Sequence, residues 1–218
     1  MRRLFVLRPE PGGRDTVGRA LALGIETIAL PLFVVERVHW LVPDPADFDA
    51  LLLTSANAVR FAGPGLDRLR TLPVHAVGAA TGAAAREAGF SLASVGGAGV
   101  DALLAGLGKG VRLLHLAGED HQPARAHGAH IHALTVYRSA PVERSADELV
   151  MTRGAVVAVH SRRAGERLAQ LIGDRGDTAL VALSAQAASA VGDGWQSIAV
   201  AERPSDAALL AIAAELCL

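Results

Sequence analysis

The sequence predicts an α/β protein made of two similar domains, each with a parallel sheet of βα units. Short apolar runs alternate with Ala-rich amphipathic segments, a pattern typical of parallel sheets. One stretch, LLLTSANAV at residues 51–59, is matched by VVAVHSRRA at residues 156–164. The match continues at nearly the same offset, pairing residues 74–81 with 180–186 and residues 24–33 with 128–137. An internal repeat of this kind indicates a duplicated domain.

The apolar runs predict the strands. They contain few polar residues, as expected when a parallel strand is covered on both faces. The predicted strands are residues 4–7, 50–53, 74–77, 111–116, 155–159, 179–183 and 197–201.

Helices should follow these strands. Their predicted starts are near Gly13, Ala56, Thr81, Asp101, Arg162, Ala185 and Ser205. Ser55, Ser161 and Thr81 suit N-cap positions. Three glycines are expected just past helix C-termini, where a left-handed backbone favours glycine: Gly24, Gly89 and Gly194.

Two β-rich segments that carry charges interrupt this alternation, at residues 33–40 and 134–142. The simplest arrangement is a discontinuous first domain, with the chain crossing to a second domain and back through a two-stranded β connector. The expected boundaries are residues 1–36 with 139–218, residues 40–134, and connectors near 33–40 and 135–142. Domains joined in this way are expected to move and to enclose a cleft.

The composition excludes several classes of protein. The net charge is −1, which argues against nucleic acid or an anionic membrane as partner. Cys217 is the only cysteine, so a disulfide framework is impossible and a reducing cytoplasm is expected. The apolar run at residues 4–7 is too short for a signal peptide or a membrane span. We expect a cytoplasmic monomer.

The predicted strand ends carry hydroxyls, glycines and arginines. Ligands of open parallel sheets bind beyond the carboxyl ends of the strands, and helix N-termini there attract anions. The candidate ligand-binding residues are Arg8, Thr54, Ser55, Asn57, Gly78, Thr81, Gly118, Ser161 and Ser184. Together they suit a ligand with many carboxylates or phosphates. Each serine or threonine also suits a purely structural cap, and this alternative stays open.

Metal and nucleotide sites are not predicted. His127, His130 and His132 lie close together, with His115 and His121 upstream, but no helical i, i+4 pair accompanies them. A solvated strand face is the better interpretation of this cluster. No Gly-x-Gly-x-x-Gly follows a strand and no Gly-Lys-Ser/Thr occurs, so nucleotide binding is weakly supported.

Tyr137 is the only tyrosine in the chain and lies in the second connector segment, next to Arg138. Tyrosine is amphipathic and suits half-wet positions. It could pack against Phe33 or Trp40, or it could face the cleft, and the sequence favours neither.

The order of these motifs resembles the uroporphyrinogen-III synthase family. The similar pieces extend over nearly the whole chain: residues 7–9, 31–32, 48–59, 76–81, 116–119, 136–138, 160–161 and 183–185. Thr-Ser-x-Asn-Ala-Val, Val-Gly-x-x-Thr and Val-Tyr-Arg, in this order, are the most specific. The chain departs from the family pattern at Ala185-Gln186-Ala187, where threonines are common, and after Gly118, where a helix looks truncated.

The resemblance implies a lyase of tetrapyrrole (porphyrin and heme) biosynthesis that needs no metal or cofactor. Its substrate would be hydroxymethylbilane, a linear tetrapyrrole with eight carboxylates, held in the interdomain cleft and cyclised with loss of water and inversion of the last ring. It implies that Tyr137 donates a proton to the departing hydroxyl. A non-catalytic two-domain clamp for a small anion or sugar is the alternative, and it would release its ligand unchanged.

Overall fold

The structure, a computed structural model, describes residues 1–218. The chain folds into two compact units, Met1–Val34 with Ala140–Leu218 (unit 1) and Val35–Ser139 (unit 2). The chain leaves unit 1 within the third strand and returns within the eighth. That the units behave as separate domains with a two-stranded connector stays a prediction. None of the helices is both long and apolar enough to cross a membrane.

The elements alternate along the chain as βα units. The strands are β1 Leu4–Val6, β2 Thr27–Ala29, β3 Phe33–Arg37, β4 Ala50–Leu53, β5 Val74–Val77, β6 Leu92–Gly96, β7 Arg112–Gly118, β8 His130–Pro141, β9 Val156–Val159, β10 Ala179–Ala182 and β11 Ser197–Val200. The α-helices are α1 Gly12–Ala22, α2 Ala56–Phe61, α3 Ala79–Glu87, α4 Val100–Ala105, α5 Ala146–Val150, α6 Arg162–Leu171, α7 Ala185–Ala190 and α8 Asp206–Cys217. Short 3-10 helices occupy Pro45–Asp47 and Pro64–Leu69.

Unit 1 is a three-layer sandwich around a five-stranded sheet of order β11-β10-β9-β1-β2. All of its strand pairs are parallel. Alternate residues of β1 point to opposite faces, so Phe5 packs in the core with α6 and α7, while Leu4 and Val6 pack with α8 and part of α1. Burial on both faces explains why these strands are continuous apolar runs.

Unit 2 contains a six-stranded sheet of order β3-β8-β7-β4-β5-β6. The strands from β8 to β6 are parallel to one another. Backbone bonds from Val38 N to Val136 O and from Val142 N to Leu32 O show that β3 runs antiparallel to β8. Helices α2 and α3 cover one face of the sheet, and α4 covers the other. The predicted α/β class with parallel-sheet βα units is confirmed.

The two sheets share one strand order. The series β11-β10-β9-β1-β2 in unit 1 corresponds to β6-β5-β4-β7-β8 in unit 2. The order along the chain differs. In unit 2, β7 and β8 come after β4, β5 and β6, whereas their counterparts in unit 1, β1 and β2, come before β9, β10 and β11. Residues 24–33 match residues 128–137 because they contain β2 and β8, which occupy corresponding positions in the two sheets. The comparison also exposes a difference: α1 joins β1 to β2, whereas residues 119–129 join β7 to β8 without a helix.

Several local expectations were wrong. Gly192, with φ 67°, follows the end of α7 in the C′ position that was expected for Gly194. Gly78 is the N-cap of α3, so Thr81 lies inside the helix and caps nothing. The helix expected to be truncated after Gly118 is absent. Strands β2 and β6, which are edge strands of the two sheets, were not predicted.

Candidate functional site

A pocket of unit 2 lies at the carboxyl ends of β4 and β7. Its cavity has a volume of about 320 Å³. It is lined by Thr54, Ser55, Val100, His115, Gly118, Glu119, Asp120, His121, Gln122, Ala124, Tyr137 and Ser139. This is the edge at which open parallel sheets bind ligands. Residues from the helix-free segment between β7 and β8 form much of its wall.

Tyr137 packs directly over Gly118. The two residues are paired across β7 and β8, next to an irregularity in the register. A Cβ atom added to Gly118 would lie 2.6 Å from Cζ of Tyr137 and 2.8 Å from its hydroxyl oxygen. The Glu119 amide donates to the Tyr137 carbonyl at 3.0 Å. Glycine is therefore required at position 118 for the phenol to occupy this place in the pocket.

Thr54 and Ser55 reach the pocket from the end of β4. The Ser55 hydroxyl oxygen accepts from the Asn57 amide at 3.2 Å, which confirms Ser55 as the N-cap of α2. Thr54 Oγ1 lies 3.0 Å from Nε2 of His115. Sequence reasoning therefore selected four residues of this pocket: Thr54, Ser55, Gly118 and Tyr137.

Two histidines of the pocket were not selected. His115 is buried in β7, and His121 Nδ1 lies 2.9 Å from the Gly118 carbonyl. Their rings meet edge to face with centroids 5.4 Å apart. Burial, reinforced by repulsion from His121, lowers the pKa of His115 from 6.5 to about 4. His115 is therefore neutral near pH 7.

The depressed pKa of His115 predicts a loss of stability in acid. Between pH 6.5 and about 4 the unfolded chain binds a proton at His115 that the folded chain excludes, so the free energy of unfolding falls as pH falls through this range. Thermal unfolding of the wild type and of His115→Asn, followed by circular dichroism across this range, tests the effect. We expect a shallower decline for the variant, with exposed His39→Gln matching the wild type. Parallel curves for all three proteins would show that His115 contributes nothing.

Unit 1 carries a different polar cluster at the ends of β1 and β9. Its centre is Asp206, the first residue of α8, whose side chain is only 15% exposed. Its carboxylate accepts from His160 Nε2 at 3.0 Å, from the Thr16 hydroxyl at 2.9 Å and from Arg19 Nε at 2.7 Å. These bonds link β9, α1 and α8.

The protonation states in this cluster follow from burial and hydrogen bonding. Burial alone would raise the pKa of Asp206, but the bonds from His160, Arg19 and Thr16 outweigh it, and the net shift is downward. Burial lowers the pKa of His160 in spite of its carboxylate partner. The cluster therefore holds an ionised Asp206 beside a neutral His160.

Arg8 lies at the edge of the same cluster. Its Nη1 is 3.9 Å from Asp206, and its side chain is 39% exposed. A Cβ atom added to Gly12 would overlap the Arg8 guanidinium, so this side chain rests on the first turn of α1. Arg8 is held in place and still presents donors to solvent, which suits a group that binds a carboxylate.

The other candidates occupy helix starts. Ser161 and Ser184 are the N-caps of α6 and α7, accepting from amides at 3.2 and 3.3 Å. Asn57 lies in the first turn of α2, and Gly78 caps α3 with φ 87°. Thr81 is buried within α3, with 5% of its surface exposed. Any substrate contact by these residues stays a prediction.

The histidine cluster of the sequence lies outside the pocket. His130 and His132 are exposed on β8, and the His132 ring lies 5.9 Å from that of Phe48. His127 adopts a positive φ of 49° in the preceding turn. No group of three or more His, Cys, Asp or Glu side chains is arranged to hold a metal ion.

Comparison with known proteins gives one family. The family model described as uroporphyrinogen-III synthase HemD matches residues 15–211. No curated protein shows significant sequence similarity. A crystal structure of uroporphyrinogen-III synthetase from Helicobacter pylori is 19% identical, with a TM-score of 0.73, covering 99% of this chain and 100% of that one. A mutant uroporphyrinogen III synthase from Thermus thermophilus is 20% identical, with a TM-score of 0.57 and 97% of both chains covered. At these identities the two structures show a shared fold.

Proposed function

Because the chain belongs to the uroporphyrinogen-III synthase family, we propose that it is the lyase that closes hydroxymethylbilane into uroporphyrinogen III. The reaction removes the terminal hydroxyl as water and inverts the last pyrrole ring. The observation that carries the proposal is the family match, which extends over most of the chain. The pocket of Tyr137, at the strand edge where such folds bind ligands, supports it.

The reaction depends mainly on how the enzyme positions the substrate. Loss of the hydroxyl gives an electrophilic azafulvene, and the substituted carbon of the last pyrrole attacks it to form a spiro intermediate. The enzyme must fold the flexible chain so that this carbon attacks first, which is catalysis by orientation. A proton donor beside the hydroxymethyl group speeds its departure. Tyr137 is our candidate for that donor.

The carboxylates of the substrate require donors. In unit 2, Thr54 and Ser55 supply hydroxyls beside the start of α2. In unit 1, Arg8 supplies a guanidinium, and Ser161 and Ser184 stand at the starts of α6 and α7. Backbone amides at helix N-termini add to these groups. We propose that both units contribute contacts to the substrate.

Turnover of hydroxymethylbilane by the purified, chelator-treated protein tests the proposal. We expect the type III isomer to form without added metal or cofactor, measured by chromatographic separation of the oxidised type I and type III products. Type I alone, formed at the rate seen without protein, would refute the assignment. Binding of hydroxymethylbilane without conversion would favour the clamp. Loss of activity with chelator, restored by a divalent ion, would overturn the cofactor-free mechanism.

A further inference from the structure

The polar cluster of unit 1, made of Arg8, Thr16, Arg19, His160 and Asp206, lies where a parallel sheet is expected to bind a ligand. From β1 the chain passes through α1 to β2 on one face of the sheet, and from β9 it passes through α6 and α7 to β10 and β11 on the other face. The strand order therefore reverses between β1 and β9, and ligands bind beyond the carboxyl ends of such a pair. The corresponding strands of unit 2, β7 and β4, carry the pocket described above.

Arg8 offers hydrogen-bond donors that the chain itself does not use. Its Nη1 lies 3.9 Å from Oδ1 of Asp206, which is too far for a hydrogen bond, and none of its guanidinium N–H groups donates to an acceptor within the chain. The Asp206 carboxylate is already bonded to Thr16, Arg19 and His160 at 3.0 Å or less. A guanidinium presents its donors in a planar fork that matches the two oxygens of a carboxylate. Arg8 can therefore bind a carboxylate without breaking a bond inside the protein.

The charges of this cluster favour an anion. Arg19 and Asp206 form an ion pair at 2.7 Å, so their charges cancel. The imidazole bonded to Asp206 adds no charge near pH 7, because burial lowers its pKa. Glu10 is engaged elsewhere, since its Oε2 accepts from the Arg14 amide at 3.3 Å and lies 3.9 Å from Nε of the same residue. The charge of Arg8 is left in excess, which suits a single carboxylate group.

Gly12 determines where the Arg8 guanidinium lies. A Cβ atom added to Gly12 would lie 2.4 Å from Nε, 2.5 Å from Cζ and 2.8 Å from Nη2 of Arg8. The guanidinium therefore occupies the space that a side chain at position 12 would fill. Gly12 begins α1 and does not have the left-handed backbone that would require glycine, so an alanine there fits the helix and displaces only the end of a flexible side chain.

We propose that Gly12 is a positioning residue, which holds the Arg8 guanidinium where it binds one carboxylate of hydroxymethylbilane; this inference rests on the proposed function. The fork of Arg8 donates two N–H bonds to the two carboxylate oxygens, and no covalent bond is made or broken. The carboxylates are substituents of the pyrrole rings and take no part in the reaction. This contact is therefore equally strong before and during ring closure, so its loss should raise KM and leave kcat nearly unchanged.

The experiment compares two glycines of one helix. Gly12→Ala displaces the guanidinium, whereas Gly18→Ala is the matched control, because Gly18 is an exposed residue of α1 with nothing within 4 Å of an added Cβ atom. Arg8→Gln removes the guanidinium itself, and the double variant Arg8→Gln/Gly12→Ala tests whether Gly12 acts through Arg8. For each protein, KM and kcat for type III formation are measured near pH 7 with the uncatalysed rate subtracted, and the Tm is measured by circular dichroism.

We expect Gly12→Ala to raise KM roughly three- to tenfold and Arg8→Gln to raise it roughly ten- to a hundredfold, with kcat within about twofold of the wild type. The Tm of Gly12→Ala should be no lower than that of the wild type, because alanine suits a helix better than glycine. A merely structural role would instead lower the Tm. The double variant should have the KM of Arg8→Gln alone.

Three results would overturn the role of Gly12. They are equal KM values for Gly12→Ala and Gly18→Ala, a KM of Arg8→Gln that equals the wild type, and effects of the two substitutions that multiply in the double variant. In each case the wild type still forms the type III isomer, so the proposed function stands. A wild-type protein that forms no type III isomer would instead refute the proposed function.

Discussion

Asp206→Asn should lower the free energy of unfolding by about 3 kcal/mol near pH 7. The carboxylate accepts from three side chains, one just after β9 and two on α1, and is largely buried at the start of α8. An asparagine offers one acceptor and no charge, so some of Thr16, Arg19 and His160 would be left with donors that are partly buried and unpaired. Leaving a buried partner unsatisfied costs more than the bond itself contributes.

Urea unfolding followed by circular dichroism measures this loss, with Asp147→Asn as the control. Asp147 lies in the first turn of α5 and is exposed, so both substitutions remove a carboxylate near a helix N-terminus. A loss no larger than that of Asp147→Asn would show that only the helix dipole matters at position 206.

Acid should remove the same stabilisation. The pKa of Asp206 is lowered below its ordinary 3.8, so its contribution is present above about pH 4 and is lost as pH falls through the folded value. The gap between wild type and Asp206→Asn is therefore expected to close in strong acid.

The sequence was most informative where strands are buried on both faces. Strand β4 was predicted with its observed bounds, because a parallel strand covered by helices is a continuous apolar run between turn residues. Strand β5 was also predicted with its observed bounds, although His75 interrupts its apolar run and one of its faces is only partly buried. The edge strand β6 carries no such run, since its residues alternate between half-buried and exposed. Strand β2 spans only three residues and was not separated from the apolar segment that continues into β3. The helix of five residues at α5 is too short to show a period.

The candidate site was predictable only where a motif is local. Thr54 and Ser55 follow β4 and Gly118 is the last residue of β7, so position in the βα unit was enough to select them. Asp206 and Thr16 are 190 residues apart, and nothing in either segment indicates the other. His121 reaches the pocket because the segment between β7 and β8 forms no helix, and the absence of an element leaves no periodic signal.

Tyr137→Phe should lower kcat for cyclisation by roughly ten- to a hundredfold while leaving the fold intact. The phenylalanine ring keeps the packing over Gly118 and removes only the hydroxyl that would contact the departing oxygen. The expected factor lies at or below the usual effect of a general acid, because this leaving group departs readily even in water.

Gly118→Ala separates the position of the phenol from its chemistry. The added methyl group would lie within 2.6 Å of the tyrosine ring, so the ring must move although its hydroxyl remains. We expect a slower reaction and a larger share of type I isomer, because a displaced wall orients the last ring less well. Gly97→Ala is the control, since Gly97 has open space around it and lies outside the pocket. If Tyr137→Phe keeps full kcat while Gly118→Ala is slow, the ring of Tyr137 positions the substrate and its phenol is not the acid. If both variants equal Gly97→Ala in rate and isomer ratio, this pocket does not hold the reacting end of the substrate.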